Sequence, residues 1–152
     1  MTVQLFSTSR SYAATVLRVV LGFVLFAHGA QYMLGWFGGN GLKATLQFLT
    51  EAMALPWMVA MAVICIQFFG AIALVLGAAT RLTALAVFGI FVGMISYHVQ
   101  YGFYMNWSGT EAGEGFEFHL LVLAMCGALL LVGGGACSLD RLIAASSNEK
   151  KQ

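Results

Sequence analysis

The run from Ala13 to Gly35, AATVLRVVLGFVLFAHGAQYMLG, decides how the rest of the chain is read. It is one apolar stretch, broken only by Arg18 near one end and by His28 and Gln31 near the other. A helix needs about 20 such residues to cross the hydrocarbon core of a bilayer. Three more apolar stretches follow, and together they predict spans at about 13–35, 55–78, 82–101 and 117–135. Glycines, charges and the lone Pro56 separate them. Pro56 suits the first turn of a helix, where its missing N–H costs nothing.

Composition points the same way. A content of 61% hydrophobic and 9% charged residues, with a mean hydropathy of +0.88, leaves too little polar surface for a soluble domain of 16.3 kDa. The expected fold is all-α, an integral membrane four-helix bundle forming a single domain over 1–145. A polar tail over 146–152 is expected to be disordered beyond about Ala145. Four spans and short loops use most of the 152 residues, so a separate soluble catalytic domain is excluded. A net charge of +1 excludes the basic excess that suits a nucleic-acid partner. Membrane lipid, other membrane proteins and apolar ligands remain. Arg10 and Arg18 before Val19–Ala27 imitate a signal peptide, but three further apolar segments favour an uncleaved first span.

Charge also sets the expected topology. With both termini cytoplasmic, the inner side carries Arg10, Arg18, Arg81, Arg141, Lys150 and Lys151, and the outer side only Lys43. In the first outer loop Leu42, Leu46, Leu49 and Met53 repeat at helical spacing, while Lys43, Gln47 and Glu51 occupy another side. This predicts a short amphipathic helix at the outer interface. Trp36, Trp57, Tyr101, Tyr104 and Trp107 form the aromatic belt expected where hydrocarbon meets water. Gly89 with Gly93, and Ala73 with Gly77, give the four-residue spacing of small residues that permits close helix contact, within the chain or in a homo-oligomer. Ser138 is placed to cap a helix through Leu139, Asp140 and Arg141.

The same topology brings the three histidines near one membrane face, with His28 about 10 Å deep, His98 about 5 Å and His119 about 3 Å, counting about 1.5 Å per residue. Gln31, Gln100, Glu114 and Glu117 fall in that layer. Ionisable groups inside a span tend to face the bundle interior or a wet cavity, which makes these residues candidates for a polar outer pocket. The alternative is structural: His98 and His119 as interfacial residues, His28 as a hydrogen-bonded helix contact, Glu117 as a cap at the positive end of the last span, and Glu111 and Glu114 as solvated loop residues. Arg18 is expected to snorkel to the inner headgroups, and Gln67, mid-span, to bond a neighbouring helix. Cys65, Cys126 and Cys137 are far apart with no C-x-x-C, which argues against a dithiol oxidoreductase and for apolar filling.

Two separated patterns carry a family resemblance. His28-Gly29-Ala30-Gln31, continuing to Gly35-Trp36-Phe37-Gly38-Gly39, resembles the end of the first span in DoxX/DoxD-like proteins. Glu117, Gly133-Gly134-Gly135 and Ser138-Leu139-Asp140 resemble that family's C-terminal pattern, and the likeness covers about Leu17 to Leu142. Relatives often carry lysine where this chain has Tyr32, so a fixed cation is missing there. The resemblance implies a small multi-pass protein of the bacterial or archaeal cytoplasmic (inner) membrane, with relatives that include the membrane subunit of a thiosulfate:quinone oxidoreductase.

Three functions follow as alternatives, and the sequence leaves open whether the protein is an enzyme. The first is the quinone-interacting subunit of a redox system, with His28, Gln31 and Tyr32 bonding a quinone carbonyl, His98 completing the pocket, and His119 or Glu117 passing protons outward. Since no electron carrier is encoded by motif, electrons would come from a membrane or periplasmic redox partner protein or from a bound cofactor. The second is a non-enzymatic anchor or assembly partner for a redox or metal-handling protein, using the outer amphipathic segment and the Glu111–Glu117 loop. The third is a haem or metal site, with His28, His98 and His119 as candidate ligands beside Glu117. A transport path would need an oligomer.

Overall fold

The structure is a computed structural model that describes Thr8 and residues 10–149. It is all-helical, with no strand among the described residues. Helix α1 spans Tyr12–Leu34. Helix α2 spans Gly41–Gln47 and runs on through a wider π turn, Phe48–Ala52. Helix α3 comprises Trp57–Cys65, a π turn at Ile66–Gly70, and Ala71–Leu76. Helix α4 spans Thr80–His98 and ends in a 3-10 turn, Val99–Tyr101. Helices α5 and α6 span Glu117–Val132 and Leu139–Glu149.

Three of these, Tyr12–Leu34, Trp57–Leu76 and Thr80–Tyr101, are long and apolar enough to cross a membrane. Helix α5 is apolar but has only 16 residues, about 24 Å at the usual rise. The four pack round one core: Leu21 and Leu25 from α1, Ala71 and Leu74 from α3, Ala84, Val87 and Phe91 from α4, and Val122, Cys126 and Leu129 from α5. Large apolar side chains such as Val16, Phe23, Leu85 and Leu131 stay exposed, the surface expected to meet lipid.

Local chemistry fixes the helix ends. The Ser11 hydroxyl accepts from the Ala14 N–H at 3.3 Å and caps α1. Gly35 then ends α1 in the left-handed region, φ 73°, its N–H turned back to the Ala30 carbonyl. The Ser138 hydroxyl accepts from the Arg141 N–H at 3.3 Å, as the sequence predicts. Helix α6 continues to Glu149, past the boundary at which the sequence places a disordered tail, and Lys150–Gln152 lie outside the described residues.

Close helix contact falls on different glycines from those the spacing suggested. A Cβ on Gly29 would lie 2.6 Å from the carbonyl carbon and oxygen of Gln67, and one on Gly22 would lie 2.7 Å from Val75 Cγ2, so α1 and α3 touch backbone to backbone. Gly89 and Gly93, by contrast, have nothing within 4 Å of a built Cβ. Gly77 does pack tightly, but against Ser138 and the Arg18 guanidinium.

Arg18 does not snorkel. It is 1% exposed. Its Nε donates to the Gly134 carbonyl at 2.7 Å, its Nη1 to Leu74 at 2.7 Å and to Val75, and its Nη2 to Cys137. The last carbonyls of α3 and those of the glycine-rich segment after α5 lie beyond the regular helical ladder, and of the four that Arg18 reaches Leu74 also accepts from the Gly77 N–H at 3.1 Å. A planar guanidinium with five donors satisfies several at once, which makes the interior favourable for this charge. Asp140 does the matching work for donors, accepting from the Ala79 and Thr80 N–H groups at 2.6 and 2.8 Å at the start of α4. The arginine end is thus tied by Arg18 and Asp140.

Helix α2 is present where the amphipathic pattern placed it. Leu46, Leu49 and Met53 pack on Ala60, Val63 and Ile64 of α3, with Tyr32 and Met33 of α1 completing a second core. Leu42 is exposed, while Thr45 is buried in its stead.

Candidate functional site

At the end of the bundle away from Arg18, a cavity of about 920 Å³ opens between α1, α2, α3 and α4. Helix α1 contributes Gln31 and Tyr32, α2 Thr45, Phe48 and Leu49, α3 Val59 and Val63, and α4 the face running from Gly89 and Ile90 to Tyr97 and His98. Its volume lies in the upper part of the range of about 300–1,000 Å³ usual for small-molecule sites, which likewise combine an apolar lining with a few placed polar groups. Gln31 is held in place, its Nε2 donating to the Phe37 carbonyl at 3.1 Å.

His98 is half-buried and oriented from outside the cavity. Its Nδ1 lies 2.8 Å from the Glu114 carbonyl oxygen. A carbonyl only accepts, so Nδ1 carries the proton and Nε2 is the free position of the neutral ring. The His119 ring from α5 lies 4.5 Å away, centroid to centroid, at 35°. It is 6% exposed, wedged against Phe91 and Phe118, and its Nδ1 has no hydrogen-bond partner. The two imidazoles form a pair reaching from the cavity wall into the bundle.

The structure therefore brings together Gln31, Tyr32 and His98 in the cavity, with His119 behind His98. It does not bring His28 there: that side chain is exposed, its ring 6.3 Å from Phe118 and outside the cavity lining. Glu117 is engaged elsewhere, its Oε1 accepting from the Met105 N–H at 3.0 Å and the Trp107 indole at 3.2 Å. Glu114 likewise accepts from the Asn106 N–H at 2.8 Å. Both carboxylates order the loop that holds His98 through Glu114. Among the described residues no group of three or more His, Cys, Asp or Glu stands close enough to hold a metal ion.

Sequence reasoning passed over Ser96 and Tyr97 as cavity-lining residues, and took Gly89 and Gly93 for packing. Gly89, Gly93 and Ser96 stand four and three residues apart, on one stripe of α4. That stripe was the available signal, and on its own it reads equally as a helix contact. Gln67, in the π turn of α3, is 2% exposed and its Nε2 has no partner. The hydrogen bond expected to glue it to a neighbouring helix is not formed by that atom.

Comparison with known families matches residues 13–100 to DoxX, more than half of the 152 residues. The chain belongs to the DoxX family. The match takes in α1 to α4 as far as residue 100, and every residue lining the cavity lies inside it. The loop that orients His98, and α5 with His119, lie beyond it, so the DoxX match does not reach the C-terminal pattern around Glu117 and Gly133–Asp140. No curated protein and no solved structure gives a match to this DoxX chain.

Proposed function

We propose that this DoxX protein is the quinone-interacting membrane subunit of a redox system, of the thiosulfate:quinone oxidoreductase type. The observation that carries the reading is the cavity that sets Tyr32 and His98 in a mostly apolar lining. A quinone needs such a site, since its ring is apolar and its two carbonyl oxygens accept hydrogen bonds. The Tyr32 hydroxyl is a donor suited to one carbonyl. His98, with its Nδ1–H held by the Glu114 carbonyl, presents a bare Nε2 that takes up a proton before passing it to the reduced ring, and His119 stands next in line. When bound, quinone takes up two electrons and two protons to become quinol. The protein's share is to bind the ring, exclude water and supply protons, while electrons come from a partner protein.

The same reading places α5 across the membrane beside the other three helices and the amphipathic α2 at the outer interface. Both termini are then cytoplasmic, in an inner membrane. Support comes from the collection of Arg10, Arg18, Arg81 and Arg141 at one end of the bundle and of Lys43 at the other.

Native mass spectrometry of the gently solubilised complex tests the function. Bound quinone is expected, weakened about tenfold, or about 1.4 kcal/mol, in Tyr32→Phe and His98→Ala. A preparation that carries no quinone, binds none when it is added and instead retains a second protein would replace this reading with that of a membrane anchor.

A further inference from the structure

The walls of the cavity are uneven. Its end is covered: Gln31 is tied to the Phe37 carbonyl, α2 lies across with Thr45 and Leu49 buried, and the Leu55 N–H donates to the Leu49 carbonyl at 3.0 Å. Its side is bare. Gly89 and Gly93 line the cavity and are themselves exposed, with open space where a Cβ would stand. Helices α3 and α4 touch through Ile66–Leu76, the half of α3 near Arg18, and their contact thins towards Trp57, where Ile90 and Met94 still reach the Ala60, Val63 and Ile64 cluster while Gly89 and Gly93 leave a gap beside them. The lining is also graded. Val59, Val63, Gly89 and Ile90 make one part apolar, whereas Gln31, Tyr32, Ser96 and His98 gather the polar groups in another. From Gly89 to His98 the α4 wall runs about 13 Å, longer than a single quinone ring requires.

We infer that the ligand reaches this cavity sideways from the bilayer, between α3 and α4, and that an isoprenoid tail lies across Gly89 and Gly93 while the ring it carries reaches Tyr32 and His98. The inference rests on the quinone-binding reading and adds to it the route and the need for a tail. Glycine at 89 and 93 serves by absence, because any side chain would fill the slot. The covering segment narrows the aqueous route that a small polar substrate would use, and the bare side faces the solvent in which a tailed quinone is dissolved.

The test compares quinones with and without a tail, ubiquinone-0 against decylubiquinone and menadione against menaquinone-4, by equilibrium binding to the full chain in lipid nanodiscs. The variant is Gly89→Leu with Gly93→Leu, where the added atoms meet open space and leucine favours the helix. Gly127→Leu on α5, equally free of neighbours, is the control. Affinity for the tailed quinone of each pair should fall at least tenfold in the double variant and hold in the control, with the tailless one unchanged. Gly93→Ala should give a smaller loss, which guards against misfolding of the double variant. Tailed quinone bound by the double variant as tightly as by the parent overturns the lateral slot while leaving the quinone site standing. A parent protein that binds none of the four overturns both.

Discussion

The imidazoles of His98 and His119 lie 4.5 Å apart and share almost no hydrogen-bonding symmetry: Nδ1 of His98 is held by the Glu114 carbonyl, and Nδ1 of His119 is buried without a partner. A buried polar atom left unbonded costs about 1–3 kcal/mol. Nothing in the packing against Phe91 and Phe118 needs a histidine, since an apolar ring would fill the same place. His119→Phe is therefore expected to be at least as stable as the parent in detergent unfolding, to keep its quinone affinity, and to slow quinone reduction about tenfold. A destabilised variant with unchanged reduction would make His119 a structural residue.

Arg18 should be far less replaceable. Four carbonyls, from Leu74, Val75, Gly134 and Cys137, take their donors from one guanidinium. Arg18→Met keeps the apolar stem and removes these donors, leaving Leu74 only the Gly77 N–H, at a cost of about 3 kcal/mol or more given about 1.5–3 kcal/mol for a hydrogen bond to a charged group. Arg18→Lys should recover only part of it, because an ammonium is a point donor rather than a fork. Denaturant titration of the three proteins in one detergent measures the order; equal stability of Arg18→Met and the parent would contradict the tie.

Asp140 caps α4 with both oxygens, one to Ala79 and one to Thr80. Asp140→Ala is expected to lose about 1–2 kcal/mol, the usual range for removing a side-chain cap. Asp140→Asn keeps one acceptor and should lie between. The same denaturant titration reads both, and a neutral Asp140→Ala would show that the start of α4 is held by packing alone.

Gly29 and Gly89 make a sharper pair. Gly29→Ala drives a methyl group into the Gln67 backbone and should cost about 1–3 kcal/mol as an overpacked contact. Gly89→Ala meets nothing and should be neutral or stabilising by up to about 1 kcal/mol, as an alanine in a helix. Equal losses at both positions, read by thermal unfolding, would mean that α4 packs against something in the membrane.

These glycines also show where sequence reading stops. The positions of three long apolar helices were legible because about 20 apolar residues in a row have few other uses. The amphipathic pattern of α2 and the cap at Ser138 were legible because each depends on near neighbours in the chain. Which glycines touch a neighbour was not, because α1 is apolar on every side and leaves no polar face to mark its phase. The same loss of phase hid that His28, unlike Gly29 and Ala30 beside it, points away from the core. Arg18 was misread for a related reason: its acceptors belong to α3 and to the glycine segment after α5, which only the fold brings beside it.

Orientation can be read from a residue the chain already carries. Cys137 is exposed at the arginine end, its carbonyl bound by Arg18, whereas Cys126 is buried in the core and Cys65 is half-buried within α3. A maleimide needs a thiol that water can reach, so a membrane-impermeant maleimide has one good target among the three. With the termini in the cytoplasm, Cys137 is expected to stay unlabelled in spheroplasts and to be labelled in inverted membrane vesicles, and Cys137→Ser should abolish that signal. Labelling of Cys137 in spheroplasts would turn the bundle over, setting the cavity and its histidine pair at the cytoplasmic face and reversing the direction of the proton transfer proposed for His98 and His119.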